Sequence, residues 1–200
     1  MTFGRIPAAL LALFLLAGAA DADPAAIRPG DIVRGQFVQE RHLQGFSKPL
    51  ISEGRFVLAP GEGLIWTVQS PFAVTTVVTP AGLLQQAAGT ESLRLPVSQV
   101  PMMSRLYQML DAALSGNLGV LETAFAVTRN GNRLTLVPLS NGGTAAVPFR
   151  RLDLEVGQFV ETVEIHRQEG DFDRIRFSDQ RRSAGPLEPD EAALLQSAAR

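Results

Sequence analysis

The stretch 31–79 constrains the fold more than any other part of the chain. Four consecutive segments, DIVRGQFVQERHL, PLISEGRFVLAP, GLIWTVQ and PFAVTTVVT, carry apolar residues at every second position and are separated by turn-forming Gly, Pro and Ser. This spacing predicts a curved antiparallel meander. In the second segment Gly54, Phe56 and Leu58 share a face against Arg55 and Val57, and in the third Leu64, Trp66 and Val68 share a face against Ile65, Thr67 and Gln69. The side-chain period of a strand is two, so a slip of one residue would turn Phe56 and Trp66 to water; the register is strongly specified.

Beyond the Thr79-Pro80-Ala81-Gly82 turn, 83–86 reads as a short fifth strand. Helical spacing first appears over 98–114, where Val100, Met103, Leu106, Tyr107, Leu110 and Leu114 recur at intervals of three and four before Ser115-Gly116-Asn117 stops the run. A shorter helical piece is expected over 118–123. Strands then resume: 125–129 and 132–137 flank Asn130-Gly131, a pair suited to the positive φ angles of a type I′ hairpin turn. A second hairpin is expected from 151–156 and 159–167 around Gly157-Gln158, and a last strand at 173–177. Leu152, Leu154, Phe159, Val163, Ile165, Ile175 and Phe177 fall on one face of these strands, with Asp153, Glu155, Glu164, Arg174 and Arg176 on the other. The segment from Ser178 reads as polar, ending in a short helix at 188–199.

Two hundred residues, 46% hydrophobic and 19% charged, suit one domain. The first twenty stand apart: Arg5 precedes an apolar run at 8–16 and the small residues Ala17, Gly18, Ala19 and Ala20. This is the pattern of a secretory signal peptide with cleavage close to Ala20, and its run is too short for a membrane span. The expected division is 1–20 signal peptide, 21–180 folded domain and 181–200 polar tail. Without Arg5 the net charge is about −3, which argues against nucleic acid or an anionic membrane surface as partner. No cysteine is present, so there is neither a disulfide nor a thiol to lipidate. The expectation is a soluble, unanchored monomer working outside the cytoplasm.

Catalytic chemistry finds little support. The only histidines, His42 and His166, sit opposite the apolar faces and read as solvated strand residues; 124 positions apart, they form no metal-ligand spacing. There is no cysteine nucleophile, G-x-S-x-G elbow, phosphate loop or H-E-x-x-H pair. Glu161 with Glu164, or Asp171 with Asp173, read as solvated charge rather than catalytic carboxylate pairs. No enzymatic activity, metal or cofactor is expected. Trp66, with Phe37, Phe56, Leu58 and Phe125, is either core or the lining of a cavity for an apolar guest. At about 0.8 kcal/mol per buried methylene, a 16-carbon acyl chain would gain about 12 kcal/mol on leaving water, and such a site needs no catalytic motif.

Gly35-x-Phe37-x-Gln39, the Gly54-x-Phe56 strand ending at Pro60, the Trp66 strand followed by Pro71-Phe72, the turn before Gly82, the helix at 101–114 and the later hairpins occur in an order that resembles the outer-membrane lipoprotein carrier family, LolA/LolB-like, over 31–179. That resemblance implies a mainly β fold: a single curved antiparallel sheet forming an unclosed half-barrel with a helical lid. It implies a soluble periplasmic carrier that takes acyl-bearing lipoprotein or lipid cargo from an inner-membrane exporter, shields it, and passes it to an outer-membrane acceptor. Lining the cavity would be Phe37, Phe56, Leu58, Trp66, Val68, Phe125, Val127, Leu134, Leu136, Leu152 and Leu154, with Met103, Leu106, Tyr107 and Leu110 in the lid. The family's classical carriers place a basic residue immediately before the proline ending the second strand, to hold the lid closed. Here that residue is Ala59, so the lid should open more readily, by about 1–3 kcal/mol if one charged hydrogen bond is missing. The resemblance therefore points to a divergent paralogue. The competing expectation is a non-enzymatic interaction module of a lipid or pigment export system, its curved sheet filled by its own helix.

Overall fold

A computed structural model describes residues 27, 30–99, 122, 124–139, 149–167 and 170–199. The strands are β1 (Asp31–His42), β2 (Leu50–Ala59), β3 (Gly63–Ser70), β4 (Val74–Thr79), β5 (Gly82–Ala87), β6 (Thr90–Pro96), β7 (Phe125–Asn130), β8 (Arg133–Pro138), β9 (Arg151–Val156), β10 (Val160–His166) and β11 (Phe172–Ala184). An α-helix, α1 (Pro189–Ala198), follows them. The strands form one antiparallel sheet in the order β6-β5-β4-β3-β2-β1-β11-β10-β9-β8-β7. The first and last strands therefore meet in the middle, and each half of the sheet is a meander of sequential hairpins. Its two edges, β6 and β7, do not pair with each other, so the sheet stays open.

The sheet is strongly curled. Two strands lie between β3 and β11, which in a flat sheet of about 4.8 Å spacing would separate them by about 14 Å. The rings of Trp66 on β3 and Phe177 on β11 nevertheless lie 6.2 Å apart. Alternation along the strands sorts the apolar residues into two clusters. One, on the inner face, runs from Leu83 through Trp66, Phe37 and Ile175 to Leu136 and Phe125. The other, on the outer face of β1–β5, joins Ile32, Val57, Ala59, Ile65, Val77 and Leu84 to Leu195 and Ala198 of α1.

Pro189 opens α1, and Glu191 in its first turn has two tasks. Its Oε2 accepts from the Glu188 amide at 3.0 Å, and its two oxygens accept from Arg34 Nε and Nη2 on β1 at 2.8 and 2.6 Å. This fork holds the helix over its apolar seat. The Arg34 hydrogen bonds hold the Glu191 carboxyl below its usual range against the opposing effect of burial.

Several expectations change here. The segment from 181, expected as a polar tail ending in a short helix at 188–199, completes β11 and has its helix at Pro189–Ala198, packed on the outer face of β1–β5. β11 runs to Ala184 rather than ending near 177. One apolar face per strand is too few for β2 and β3, because α1 also buries Val57, Ala59 and Ile65. A whole strand, β6, pairs with β5 through a two-residue turn at Ala88-Gly89. Only a 3-10 turn, Val97–Gln99, is described where the amphipathic helix was expected to begin. The expected lid residues Met103, Leu106, Tyr107 and Leu110, and the signal segment 1–20, lie outside the described residues. No helix among the described residues is long and apolar enough to cross a membrane.

Truncating Leu195 to Ala should lower stability by about 2–3 kcal/mol, and Glu191→Gln by about 1 kcal/mol. The folded state lowers the Glu191 pKa, so its contribution is fully present above the ordinary carboxylate range and is lost as pH falls through the lowered value. Thermal denaturation followed from about pH 7 to about pH 3 should show a shallower acid loss for Glu191→Gln than for the unmodified chain.

Candidate functional site

The inner face is organised by two glycine–phenylalanine pairs set head to tail. Gly35 lies opposite Phe56 and Phe37 lies opposite Gly54 in the β1–β2 register. Each ring covers the glycine across from it. A Cβ added at Gly35 would come within 2.7 Å of Phe56 Cε1, and one at Gly54 within 2.8 Å of Phe37 Cζ and 2.0 Å of the Thr67 carbonyl oxygen. With no side chain at Gly54, the Phe37 ring reaches past β2 and stacks on Trp66, with centroids 3.6 Å apart and planes at 20°. Phe177 closes the group edge-on, 5.4 Å from Phe56. Phe125 and Phe149 stack at 6.1 Å in the other half of the face.

Of the eleven residues expected to line a cavity, ten gather on this face: Phe37, Phe56, Leu58, Trp66, Phe125, Leu134, Leu136, Leu152 and Leu154 are buried in its cluster, and Val68 packs against it half-buried. Val127 is the exception. It is 38% exposed on β7, which among the described residues is an edge strand. Sequence reasoning omitted Phe149, which belongs to no element and so leaves no periodic signal. Ala59 belongs to the outer cluster and is 3% exposed with Leu195 and Ala198 of α1 in the same cluster. A long basic side chain at this position would have to be buried against that helix.

The inner face ends in a polar group at the β1–β11 end. Asp173, expected as solvated charge, is fully buried. It accepts from Arg41 Nε at 2.8 Å and Gln39 Nε2 at 3.3 Å, and pairs closely with Arg167. Asp171 instead caps the β1–β2 turn, accepting from the Gln44 amide at 2.8 Å. Glu161 is exposed at the bulge where the β9–β10 register shifts, whereas Glu164 is half-buried opposite Asp153 and accepts from Arg174. Neither carboxylate pair is assembled. A half-open hollow of about 520 Å³ lies on the outer face between α1 and β1–β3, with Arg34, Arg55, Val57, Ile65, Glu191 and Leu194 in its wall.

Residues 14–195 match a family described as outer membrane lipoprotein carrier protein LolA-like. The chain belongs to that family. Its open, mainly β sheet agrees with the membership. No curated protein matches the sequence. Among solved structures it is similar to a DUF1329 family protein from Desulfovibrio piger, 13% identical with a TM-score of 0.47, over 92% of this chain and 96% of that one. The LolA superfamily protein NE2245 from Nitrosomonas europaea is 12% identical with a TM-score of 0.39, over 84% and 92%. A chain of the Pseudomonas aeruginosa MucA/MucB complex is 12% identical with a TM-score of 0.47; the match covers 81% of this chain but only 55% of that one.

Gly54→Ala should cost more than about 2 kcal/mol, because the new methyl meets both the Phe37 ring and backbone; Trp66 emission should shift in the same variant. Asp173→Ala should cost about 3 kcal/mol by leaving Arg41 and Arg167 facing each other without the carboxylate, read as a fall in the urea midpoint.

Proposed function

We propose that this LolA-like chain is a non-enzymatic periplasmic carrier whose inner face receives acyl chains of lipoproteins or other lipids and releases them towards the outer membrane. The observation that carries this reading is the continuous apolar inner face of an open sheet, spanning Leu83 to Phe125, with α1 seated on the opposite face.

The stacked rings do not oppose it. An aromatic pair contributes about 0.5–1.5 kcal/mol beyond its buried area, whereas a 16-carbon chain gains about 12 kcal/mol on burial. Parting Phe37 from Trp66 is therefore a small cost for a chain that takes its place between them. Cargo would pass from an inner-membrane exporter to an outer-membrane acceptor. The chemistry is exchange of one apolar surrounding for another, and no bond is made or broken.

A second reading, an interaction module of an export system, draws on the same contacts. Phe37 and Trp66 already fill the space between them, and β6 and β7, which have no second strand partner among the described residues, offer strand addition to a protein partner. Titration with a fluorescent fatty-acid analogue separates the two. The carrier reading predicts saturable uptake with a change in Trp66 emission, weakened at least about tenfold by Phe37→Ala, which removes a ring that the chain would contact. Absence of uptake, with Trp66 emission unmoved, contradicts the carrier and leaves the module.

A further inference from the structure

The outer face of β9 and β10 holds a group that the carrier reading does not use. Asp153 stands opposite Glu164 across the two strands, and His166 lies two residues beyond Glu164 on the same face. One potential ligand atom from each residue lies within 4.8 Å of the others. His166 Nε2 is 3.1 Å from Asp153 Oδ2 and 3.5 Å from Glu164 Oε2. Around a tetrahedral zinc ion with bonds of about 2.0–2.2 Å, neighbouring ligand atoms are about 3.4 Å apart, so these two edges are already near the required length.

The remaining oxygens are held by donors outside the group. Thr135 Oγ1 donates to Asp153 Oδ1 at 2.7 Å, leaving Oδ2 turned to the histidine. Arg174 Nε donates to Glu164 Oε1 at 2.7 Å, leaving Oε2 turned the same way. Such donors fix the direction of a metal-bound carboxylate. The His166 side chain is only 15% exposed and its ring lies over Phe172 at 5.8 Å, so the imidazole is itself oriented rather than solvated as the sequence suggested. A hollow of about 340 Å³ bordered by Asp153, Glu164, Arg133 and Arg151 leads in from solvent.

A cation already stands at the group. Arg151 Nε forms an ion pair with Asp153 Oδ2 at 2.7 Å, and its Nη2 is 3.1 Å from His166 Nε2. A neutral ring cannot satisfy both neighbours through Nε2: a proton there serves Asp153 and faces Arg151, while a lone pair there serves Arg151 and faces Asp153. A metal ion at the centre removes the conflict, because both the imidazole lone pair and the carboxylate oxygen then point at positive charge. Arg151, 46% exposed, is free to swing away. The paired histidines of the sequence gave no signal for this, since His166 finds its partners among carboxylates of its own hairpin and not in His42.

From this geometry we infer that Asp153, Glu164 and His166 form a binding site for a divalent first-row transition ion of the zinc type, with Arg151 as the cation it displaces. Calorimetric titration of the metal-stripped full chain with zinc chloride tests it. One saturable site is expected, weakened at least about tenfold in His166→Ala and in Glu164→Gln and unchanged in His42→Ala, with all variants checked for an unaltered thermal transition. Arg151→Ala should bind zinc at least as tightly as the unmodified chain, a direction that loss of a merely structural ion pair would not produce. Failure of both the unmodified chain and Arg151→Ala to take up zinc, or uptake by His166→Ala equal to that of the unmodified chain, would overturn the site.

Discussion

The reciprocal pairing of Gly35 with Phe56 and of Phe37 with Gly54 is the contact on which the rest of the structure depends. It places two rings over two bare stretches of backbone, which fixes the β1–β2 register by shape as well as by hydrogen bonding. It also brings Phe37 onto Trp66 from two strands away and Phe177 against both neighbours. Only a curled sheet permits that, so the curl and the register support each other. Since β1 also pairs with β11, the same site joins the two meanders.

The two faces of the sheet meet different demands. The inner face is apolar and continuous, closed at one end by Asp173 with its guanidinium partners. The outer face divides. Over β1–β5 near α1 it is apolar, with Arg34 and Glu191 as clasp; from the far end of β1 across β8–β11 it is a ladder of charges in which Glu40 pairs with Arg176 and Arg174 with Glu164. The Arg176 hydrogen bond holds the Glu40 carboxyl below its usual range. α1 sits on the outer face, so it takes no part in covering the apolar inner face.

Much of this was legible in the sequence, and the misses have particular causes. Strict alternation located β1 to β4 within a few residues, and Asn130-Gly131 marked the β7–β8 hairpin. β6 was missed because its turn places Ala88 at φ 50° beside Gly89 at φ 79°; alanine in the left-handed region costs about 1–2 kcal/mol and announces no turn. The second half of β11 reads as tail because its exposed residues, Asp179, Arg181 and Arg182 among them, carry no apolar alternation; what holds it is pairing with Asp31–Arg34 at the far end of the chain. Asp173 broke the rule that inward positions are apolar, and its partners Arg41 and Arg167 could not be matched to it by spacing. His166 was read from its face alone, although Asp153 and Phe172 on the adjoining strands decide its surroundings.

The central claim is that an acyl chain can take the place of ring-on-ring contact along the inner face. Native mass spectrometry of the chain purified from a lipid-containing extract under mild conditions measures this most directly. The account predicts a population heavier by the mass of one bound lipid, converted to the bare mass by delipidation and restored by adding back a fatty acid. A bare mass throughout, with no adduct after incubation with excess fatty acid, would contradict it.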